Sequence, residues 1–177
     1  MPQRPALKRL IGRAQLRRRV GELAEEIARD YRDRQPLLVG TLKGSFVFLA
    51  DLARRLPLPL EIDFIGAASY GQGRESSGQV HVYHEPRSEL RGRHVVLVED
   101  IVDTGLTLAE LRRYLEAQGP ASLRVCALLM KRRAQKAGVQ VDYLGFLVPD
   151  HFLVGYGLDW AERYRNLPEV YVLDGEG

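Results

Sequence analysis

The sequence predicts an α/β fold in which helices flank a central, mostly parallel sheet. Short apolar runs alternate along the chain with segments whose apolar residues recur every three or four positions. Such alternation of strands and helices is typical of parallel sheets. The run VVLV at 95–98 is apolar at every position, as expected for a buried strand. A chain of 177 residues is expected to form one domain, here 1–177.

The first third of the chain is predicted to form two helices and one strand. Leu16, Val20 and Ile27 keep helical spacing, which predicts a helix over residues 15–34 that ends at Gln35-Pro36. The apolar run at 37–40 is a candidate buried strand. After the turn TLKGS, apolar residues over 46–56 again recur every three or four positions, which predicts a second helix that the prolines at 57 and 59 end.

The middle of the chain is predicted to continue the alternation. A strand over 61–69 precedes a glycine-rich polar segment at 69–79, which resembles a long loop of the kind that often acts as a lid. The strand at 95–98 is followed by a helix over 107–118, which ends at Gly119-Pro120, and by a strand over 124–130. Because ligands bind at the carboxyl ends of parallel strands, residues directly after these strands are candidate site residues.

Composition and charge exclude some classes of protein. The chain is 45% hydrophobic and 28% charged with a net charge of +3, which is typical of a soluble globular protein. No apolar run approaches the ~18 residues of a membrane span, so no membrane partner is expected. Basic residues before Gly21 fit a nucleic-acid arm, a transit peptide or the solvated face of the first helix, and helical spacing favours the third. Cys126 lies in an apolar run and is interpreted as a core residue of a cytoplasmic protein.

The segment VVLVEDIVDTGLTL at 95–108 carries the main functional signal. Glu99 and Asp100 directly follow the apolar strand, where two successive acids contribute nothing obvious to folding. In the turn that begins at Asp103, backbone amides and a helix N-terminus can converge on a phosphate. The paired acids suit ribose hydroxyls or the hydration shell of Mg²⁺. Alternatively, Asp103 or Thr104 caps the helix and the acids are an exposed strand end, but the whole string favours a sugar phosphate.

Three further residues or segments follow predicted strands or lie near the end of the chain. Lys43 and the amides around Gly44 could bind a second anion, although a plain turn with Ser45 as helix cap is an equal alternative. Lys131 ends the strand at 124–130, where an isolated lysine is usually just solvated. Phe152, taken alone, is expected in the core. No Walker A or dinucleotide-binding glycine pattern occurs.

The string VVLVEDIVDTGLT resembles the phosphoribosyl-diphosphate (PRPP) binding motif of the type I phosphoribosyltransferases. LKGS at 42–45 resembles the pyrophosphate loop of the hypoxanthine-guanine members, in which the Leu-Lys bond is often cis, and Ser69-Tyr70 resembles the start of their lid. The segment from Lys131 through VDYLGFLVPDHFLVGYGLDWAERYRNLP resembles their base-binding half. The resemblance covers residues 10–173. It implies the type I fold, with a core at about 35–135 and a small hood for the base from the N-terminal helix region and about 140–177.

The resemblance implies transfer of 5-phosphoribosyl from PRPP to N9 of hypoxanthine or guanine, with Mg²⁺ as cofactor and Asp103 as general base. The ribose and 5′-phosphate would be bound by Glu99, Asp100, Asp103, Thr104, Gly105, Leu106 and Thr107. Pyrophosphate would be bound by Leu42, Lys43, Gly44 and Arg165, and the lid would include Ser69 and Tyr70. The purine would be bound by Lys131, Phe152, Leu153 and Asp159, and the metal by Glu99, Asp100 and Asp159.

Two alternatives remain beside this expectation. A regulator could use the same fold to sense PRPP or a nucleotide and bind nucleic acid through its basic N-terminus, and an enzyme of the same fold could prefer another base such as xanthine. The presence of Asp103, Lys131 and LKGS favours the salvage enzyme. The expected partners are therefore PRPP and a 6-oxopurine, not nucleic acid, and the resemblance implies a homodimer or homotetramer.

Overall fold

The computed structural model describes residues 6–69 and 80–174. Within these ranges the chain forms nine strands and four helices. In chain order they are β1 Ala6–Ile11, α1 Arg13–Asp30, β2 Leu37–Leu42, α2 Phe46–Ala53, β3 Glu61–Ser69, β4 Val80–His84, β5 His94–Val102, α3 Leu106–Glu116, β6 Ser122–Lys131, α4 Arg132–Lys136, β7 Tyr143–Val148, β8 Leu153–Val154 and β9 Val170–Asp174.

Six strands form the larger sheet, in the order β4-β3-β2-β5-β6-β7. Every neighbouring pair is parallel except β3 and β4, which are antiparallel. Residues of α1 and α2 pack on one face of the sheet, and residues of α3 pack on the other. The predicted central, mostly parallel sheet with flanking helices is therefore confirmed.

The apolar strands are buried from both sides. Leu37, Leu38 and Val39 of β2 are fully buried. Leu38 belongs to the core formed with α1 and α2, whereas Leu37 and Val39 belong to the core formed with α3. Since both faces of the strand need apolar side chains, the sequence shows a continuous apolar run rather than an alternation.

The order of the strands opens a cleft between β2 and β5. From β2 the chain passes to β3 on one side, and β5 then lies on the other side of β2. β2 and β5 are paired only as far as Gly40 and Val98, while β2 continues along β3 and β5 continues along β6. The two strands thus separate at their carboxyl ends, which is where parallel α/β sheets bind ligands.

The smaller sheet joins the two ends of the described chain. It is antiparallel, in the order β1-β9-β8. β1 carries Lys8 and Arg9, so part of the basic segment forms a strand that was not predicted, whereas Arg17 and Arg18 lie on the exposed face of α1 as expected. β7 falls within the range expected for the hood, 140–177, but is the edge strand of the larger sheet.

The predicted elements differ from the observed ones mainly at their ends. α1 ends at Asp30 and α2 at Ala53, each about a turn earlier than expected. β5 extends through Glu99 and Asp100 to Val102, so the two acids lie within the strand rather than after it. Cys126 is buried, as predicted. No helix in the described part of the chain is long and apolar enough to cross a membrane.

Candidate active site

A cavity of about 280 Å³ occupies the cleft between the carboxyl ends of β2 and β5. Most of the residues predicted to bind PRPP line it. Its lining includes Thr41, Leu42, Lys43, Gly44, Glu99, Asp100, Asp103, Thr104, Gly105, Thr107, Asp159 and Arg165. The structure therefore brings together the motif at 95–108, the LKGS loop and part of the C-terminal segment.

Glu99 is buried at the point where β2 and β5 separate. The hydroxyl of Thr41 on β2 donates to Glu99 Oε2 at 2.7 Å and also lies 3.2 Å from the carbonyl oxygen of Val98. Burial, reinforced by the neighbouring charge of Asp100, raises the pKa of Glu99 to about 8, although the bond from Thr41 lowers it. The site thus holds a carboxyl group that binds a proton in the unliganded protein at neutral pH.

Asp100 lies directly against the LKGS loop. A Cβ atom placed on Gly44 would be 1.6 Å from Asp100 Oδ2, so this carboxylate occupies the space that any other residue at position 44 would need. Burial raises the pKa of Asp100 to about 6, while hydrogen bonds from backbone amides, among them that of Ile101 at 2.8 Å, oppose the shift. Glycine at position 44 is thus required by close approach of the acid.

The turn after β5 forms the N-terminus of α3. Gly105 has a φ of +90°, and a Cβ there would lie 2.3 Å from the side chain of Val139, so the turn requires glycine. No side-chain hydrogen bond caps α3, although Thr104 Oγ1 accepts a long hydrogen bond of 3.4 Å from the amide of Leu106. Residues of this helix end line the cavity, and a helix N-terminus suits an anion. Asp103 does not act as the cap.

The LKGS loop has the backbone that the resemblance implied. The Leu42-Lys43 peptide bond is cis. Ser45 stands at the N-cap position of α2 but makes no side-chain capping bond, since its hydroxyl donates instead to the carbonyl oxygen of Thr41 at 2.7 Å. The alternative of an ordinary capped turn at LKGS is therefore wrong.

Cations and acids of the C-terminal segment meet this loop. Lys43 Nζ lies 3.0 Å from Glu162 Oε2, and Arg165 Nη2 lies 2.9 Å from Asp159 Oδ1 and 3.4 Å from Glu162 Oε1. Arg165 Nη1 also donates to the carbonyl oxygen of Gly157, and its Nε is buried with no hydrogen-bond partner among the described residues. The two cations predicted to bind pyrophosphate thus share the carboxylate of Glu162.

Asp103 lies between two cations. Lys131 Nζ is 3.1 Å from Asp103 Oδ2, and Arg133 Nε donates to Asp103 Oδ1 at 2.6 Å. Lys131 is buried, with a side chain that is 8% exposed. The interpretation of Lys131 as a merely solvated lysine is therefore wrong.

Most residues predicted to bind the purine lie outside the lining of the cavity, unlike those predicted to bind PRPP. Lys131, Phe152 and Leu153 do not line it, and neither does Leu106, which was predicted to bind the ribose and 5′-phosphate. Phe152 is 41% exposed, so the expectation of a core residue is wrong and its ring is free to contact a ligand. Leu153 is buried in β8. Of the predicted lid, Ser69 ends β3 and Tyr70 lies outside the described residues.

Three residues at the site were not found from the sequence. Thr41 lies one residue beyond the predicted end of β2, and its position on the same strand face as Val39 could have identified it. Arg133 and Glu162 form their contacts with Asp103 and Lys43 across 30 and 119 residues of chain. No local signal in the sequence indicates such distant pairs.

The residues of the cleft fit a magnesium ion that is held mainly by substrate and water. Among the described residues there is no group of three or more acids, histidines or cysteines that could hold a metal ion alone. The charge of Asp100 nevertheless disfavours ionisation of Glu99, and an approaching cation would oppose this effect. Mg²⁺ commonly uses one or two carboxylates together with waters and phosphate oxygens. The pair is suited to that role, whereas Asp159 is already paired with Arg165.

Comparisons with known proteins agree with this geometry. A family model described as a phosphoribosyl transferase domain matches residues 12–161. The chain is 45% identical over 169 residues to the hypoxanthine-guanine phosphoribosyltransferase of Aquifex aeolicus, with 95% of each chain covered. It is 44% identical over 169 residues to that of Bacillus subtilis, which covers 94% of this chain and 92% of the relative. A crystal structure of a hypoxanthine-guanine phosphoribosyltransferase from Bacillus anthracis matches with a TM-score of 0.90 at 42% identity, covering 95% and 99%. The resemblance found in the sequence is confirmed, and the chain belongs to the phosphoribosyltransferase family.

Proposed function

We propose that the protein is a purine-salvage enzyme that transfers the 5-phosphoribosyl group of PRPP to N9 of hypoxanthine or guanine. The products are inosine or guanosine monophosphate and pyrophosphate. The observation that carries this proposal is the position of Asp103, which borders the phosphate-binding turn and is paired with the buried Lys131. The carboxylate of Asp103 thus lies between the turn proposed to bind the sugar phosphate and Lys131, a cation suited to a 6-oxo group. The names and similarity of the relatives support the same activity.

In this proposal the two anionic ends of PRPP bind to different parts of the cavity lining. The 5′-phosphate would bind to the backbone amides and hydroxyls of residues 103–107, at the N-terminus of α3. The pyrophosphate would bind to Lys43, Arg165 and the amide of Gly44 across the cleft. Glu99 and Asp100, between these positions, would orient the ribose hydroxyls. A substrate bound at both ends has already lost much of its translational and rotational freedom, so less entropy is lost when C1 reacts with the base.

The chemistry requires charge stabilisation on both sides of the broken bond. Displacement at C1 leaves positive charge on the ribose ring, as in glycoside hydrolysis, and negative charge on the departing pyrophosphate. Lys43 and Arg165 would stabilise the leaving group, and Asp103 would accept a proton from the purine. Lys131 would donate to the 6-oxo group, which discriminates against a 6-amino base such as adenine.

Magnesium is the proposed cofactor, bound at Glu99 and Asp100 through water, with Asp159 as a further ligand near pyrophosphate. When bound, the ion neutralises charge on the leaving pyrophosphate. Asp159 would have to exchange its ion pair with Arg165 for the metal, which would free the guanidinium for pyrophosphate. We further propose that the protein is cytoplasmic and forms a homodimer or homotetramer. Light scattering of the purified chain would measure its oligomeric state.

The test is a panel assay of the purified chain with PRPP and Mg²⁺. Hypoxanthine, guanine, xanthine and adenine are supplied separately, and pyrophosphate and nucleotide are measured together. We expect turnover with hypoxanthine or guanine, little with adenine, and loss of turnover when the metal is chelated. Absence of nucleotide with all three 6-oxopurines would refute the proposal.

The general base is tested in the same assay with Asp103→Asn. The amide keeps the shape of the carboxylate but cannot accept the proton, so turnover at saturating PRPP should fall by roughly 10²-fold or more. Near-normal turnover of this variant would exclude Asp103 as the base.

A further inference from the structure

Asp103 is held from two directions by cations of different exposure. Lys131, at the end of β6, contacts Oδ2, and Arg133, on α4, contacts Oδ1 through both Nε and Nη2. The side chain of Lys131 is 8% exposed, whereas that of Arg133 is 47% exposed. The two contacts use different oxygens, so together they fix the plane of the carboxylate.

The backbone of Arg133 is itself fixed. Its amide donates to Asp150 Oδ1 at 3.1 Å, and the next residue, Ala134, is fully buried in the core beside α3. Asp150 lies two residues before Phe152. The arginine that holds Asp103 is therefore anchored to the loop that carries the proposed purine-stacking residue.

The two cations differ in what they can do once a base is bound. Under the proposed function, Lys131 must direct a proton toward the 6-oxo group of the purine, so it cannot serve only as the support of Asp103. Arg133 has no such second contact assigned to it. Its guanidinium presents fixed, planar donors that hold a carboxylate oxygen in one orientation.

We propose that Arg133 is a positioning residue that holds the carboxylate of Asp103 in the orientation needed to accept the purine proton. The inference rests on the proposed function, because it assigns a role through Asp103 as general base. Arg133 keeps Asp103 Oδ1 fixed while Lys131 turns to the base, and Asp150 holds the backbone of Arg133 in place. Arg133 contacts neither substrate in this arrangement.

The experiment compares Arg133→Ala and Arg133→Lys with Arg132→Ala, which removes an exposed arginine from the neighbouring position of the same helix. Single-turnover formation of nucleotide from hypoxanthine is measured at saturating PRPP and Mg²⁺, together with the KM for PRPP and the melting temperature. Single-turnover rates are used because product release can limit steady-state turnover.

We expect Arg133→Ala to slow the single-turnover rate by roughly 10-fold, since small misplacements of catalytic groups cost one to two orders of magnitude. The KM for PRPP should stay within about twofold because Arg133 does not line the PRPP cavity. Arg133→Lys should recover part of the rate through a single charged hydrogen bond. Arg132→Ala should behave as the unmodified protein.

The inference is overturned if Arg133→Ala equals Arg132→Ala in rate. It is also overturned if the loss appears in the KM for PRPP or accompanies a large fall in melting temperature that Arg133→Lys shares, because these mark a structural role. Failure of the proposed function has a different signature: the unmodified protein would itself form no nucleotide from any 6-oxopurine.

Discussion

At the scale of single residues, the site depends on close packing of side chains against two glycines as much as on charge. Gly44 leaves no room for a side chain beside Asp100, and Gly105 leaves none beside Val139. The acids, by contrast, are placed at a cost, since burial raises the pKa of Glu99 and of Asp100. Such unfavourable placement of charge is typical of sites built for a ligand rather than for stability.

Gly44→Ala tests the close approach. The new methyl group would collide with Asp100 Oδ2, so either the LKGS loop or the acid must shift. We expect the affinity for PRPP to fall by roughly 10-fold or more, because the residues proposed to hold pyrophosphate and the metal would be displaced. Isothermal titration calorimetry with PRPP in the presence of Mg²⁺ measures this affinity.

Gly21→Ala is the matched control for this substitution. Nothing lies within 4 Å of a Cβ at Gly21, which is in the interior of α1. This variant should bind PRPP normally and gain roughly 0.5–1 kcal/mol of unfolding free energy from its helix propensity. Equal PRPP affinity of the two alanine variants would contradict the steric argument.

Glu162→Gln tests the shared carboxylate. Glu162 engages both Lys43 and Arg165 in the unliganded protein, and therefore competes with any anion for these cations. Removing its charge should strengthen pyrophosphate binding by roughly two- to fivefold, the range typical of exposed ion pairs, and the gain should shrink at high salt.

The measurement is the inhibition constant of pyrophosphate at low and high ionic strength. Glu110→Gln removes an acid that pairs with Arg113 on α3 and serves as control. Unchanged or weaker pyrophosphate binding in Glu162→Gln would show that Glu162 does not compete for the site.

At the scale of elements, the sequence predicted the four central strands of the larger sheet, β3, β2, β5 and β6, but neither its edge strand β7 nor the residue at which β5 ends. β5 was expected to stop at Val98, because polar residues follow. It continues to Val102 because its backbone still pairs with β6 after β2 has diverged. The end of β5 thus depends on which strand lies beside it, and the local sequence pattern does not reveal that neighbour.

The smaller sheet was missed for a related reason. β1 and β9 pair residues from opposite ends of the chain, such as Leu7 with Leu173. β8 has two residues and gives no periodic signal. Phe152 shows the same limit at a single position: an aromatic in an apolar stretch is usually buried, yet this one is exposed beside a short strand. The family motif nevertheless predicted that Phe152 belongs to the site.

The motif at 95–108 can be interpreted locally, because one short segment carries all of its residues. Glu99 through Thr107 lie on one strand, one turn and one helix end, so their arrangement follows from their spacing. Arg133 reaches Asp103 from another element, and nothing in the spacing of MKRRAQ indicates which arginine turns toward the acid. Contacts within an element were therefore predictable, and contacts between elements were not.

At the scale of the whole molecule, the buried acids make stability depend on pH. The pKa of Glu99 is raised from 4.5 to about 8 and that of Asp100 from 3.8 to about 6. The folded protein therefore binds protons more tightly than the unfolded chain at these groups. The contribution to stability is full below about pH 4 and is lost as the pH rises through about 6 and then about 8.

Glu99→Gln should remove the larger part of this loss. The amide oxygen can still accept the hydrogen bond from Thr41, while no charge forms at position 99 at alkaline pH. The unliganded variant should nearly match the unmodified protein near pH 5 and melt roughly 10 °C higher at pH 9. The pKa of Glu99 is raised from 4.5 to about 8, each pKa unit is worth about 1.4 kcal/mol, and each kcal/mol shifts the melting temperature of a chain of this size by about 2–4 °C.

Thermal melts at pH 5, 7 and 9 with chelator present measure the difference. Glu25→Gln, which neutralises an exposed acid on α1, controls for the change in net charge. PRPP with Mg²⁺ should then stabilise the unmodified protein more than Glu99→Gln at pH 9, because the ligand supplies the cation that the ionised acid lacks. Parallel melting curves at every pH would contradict the linkage. If Glu99→Gln raises the melting temperature at alkaline pH and not near pH 5, ionised Glu99 lowers the stability of the free protein. The acid would then be retained for binding a ligand whose cation offsets its charge.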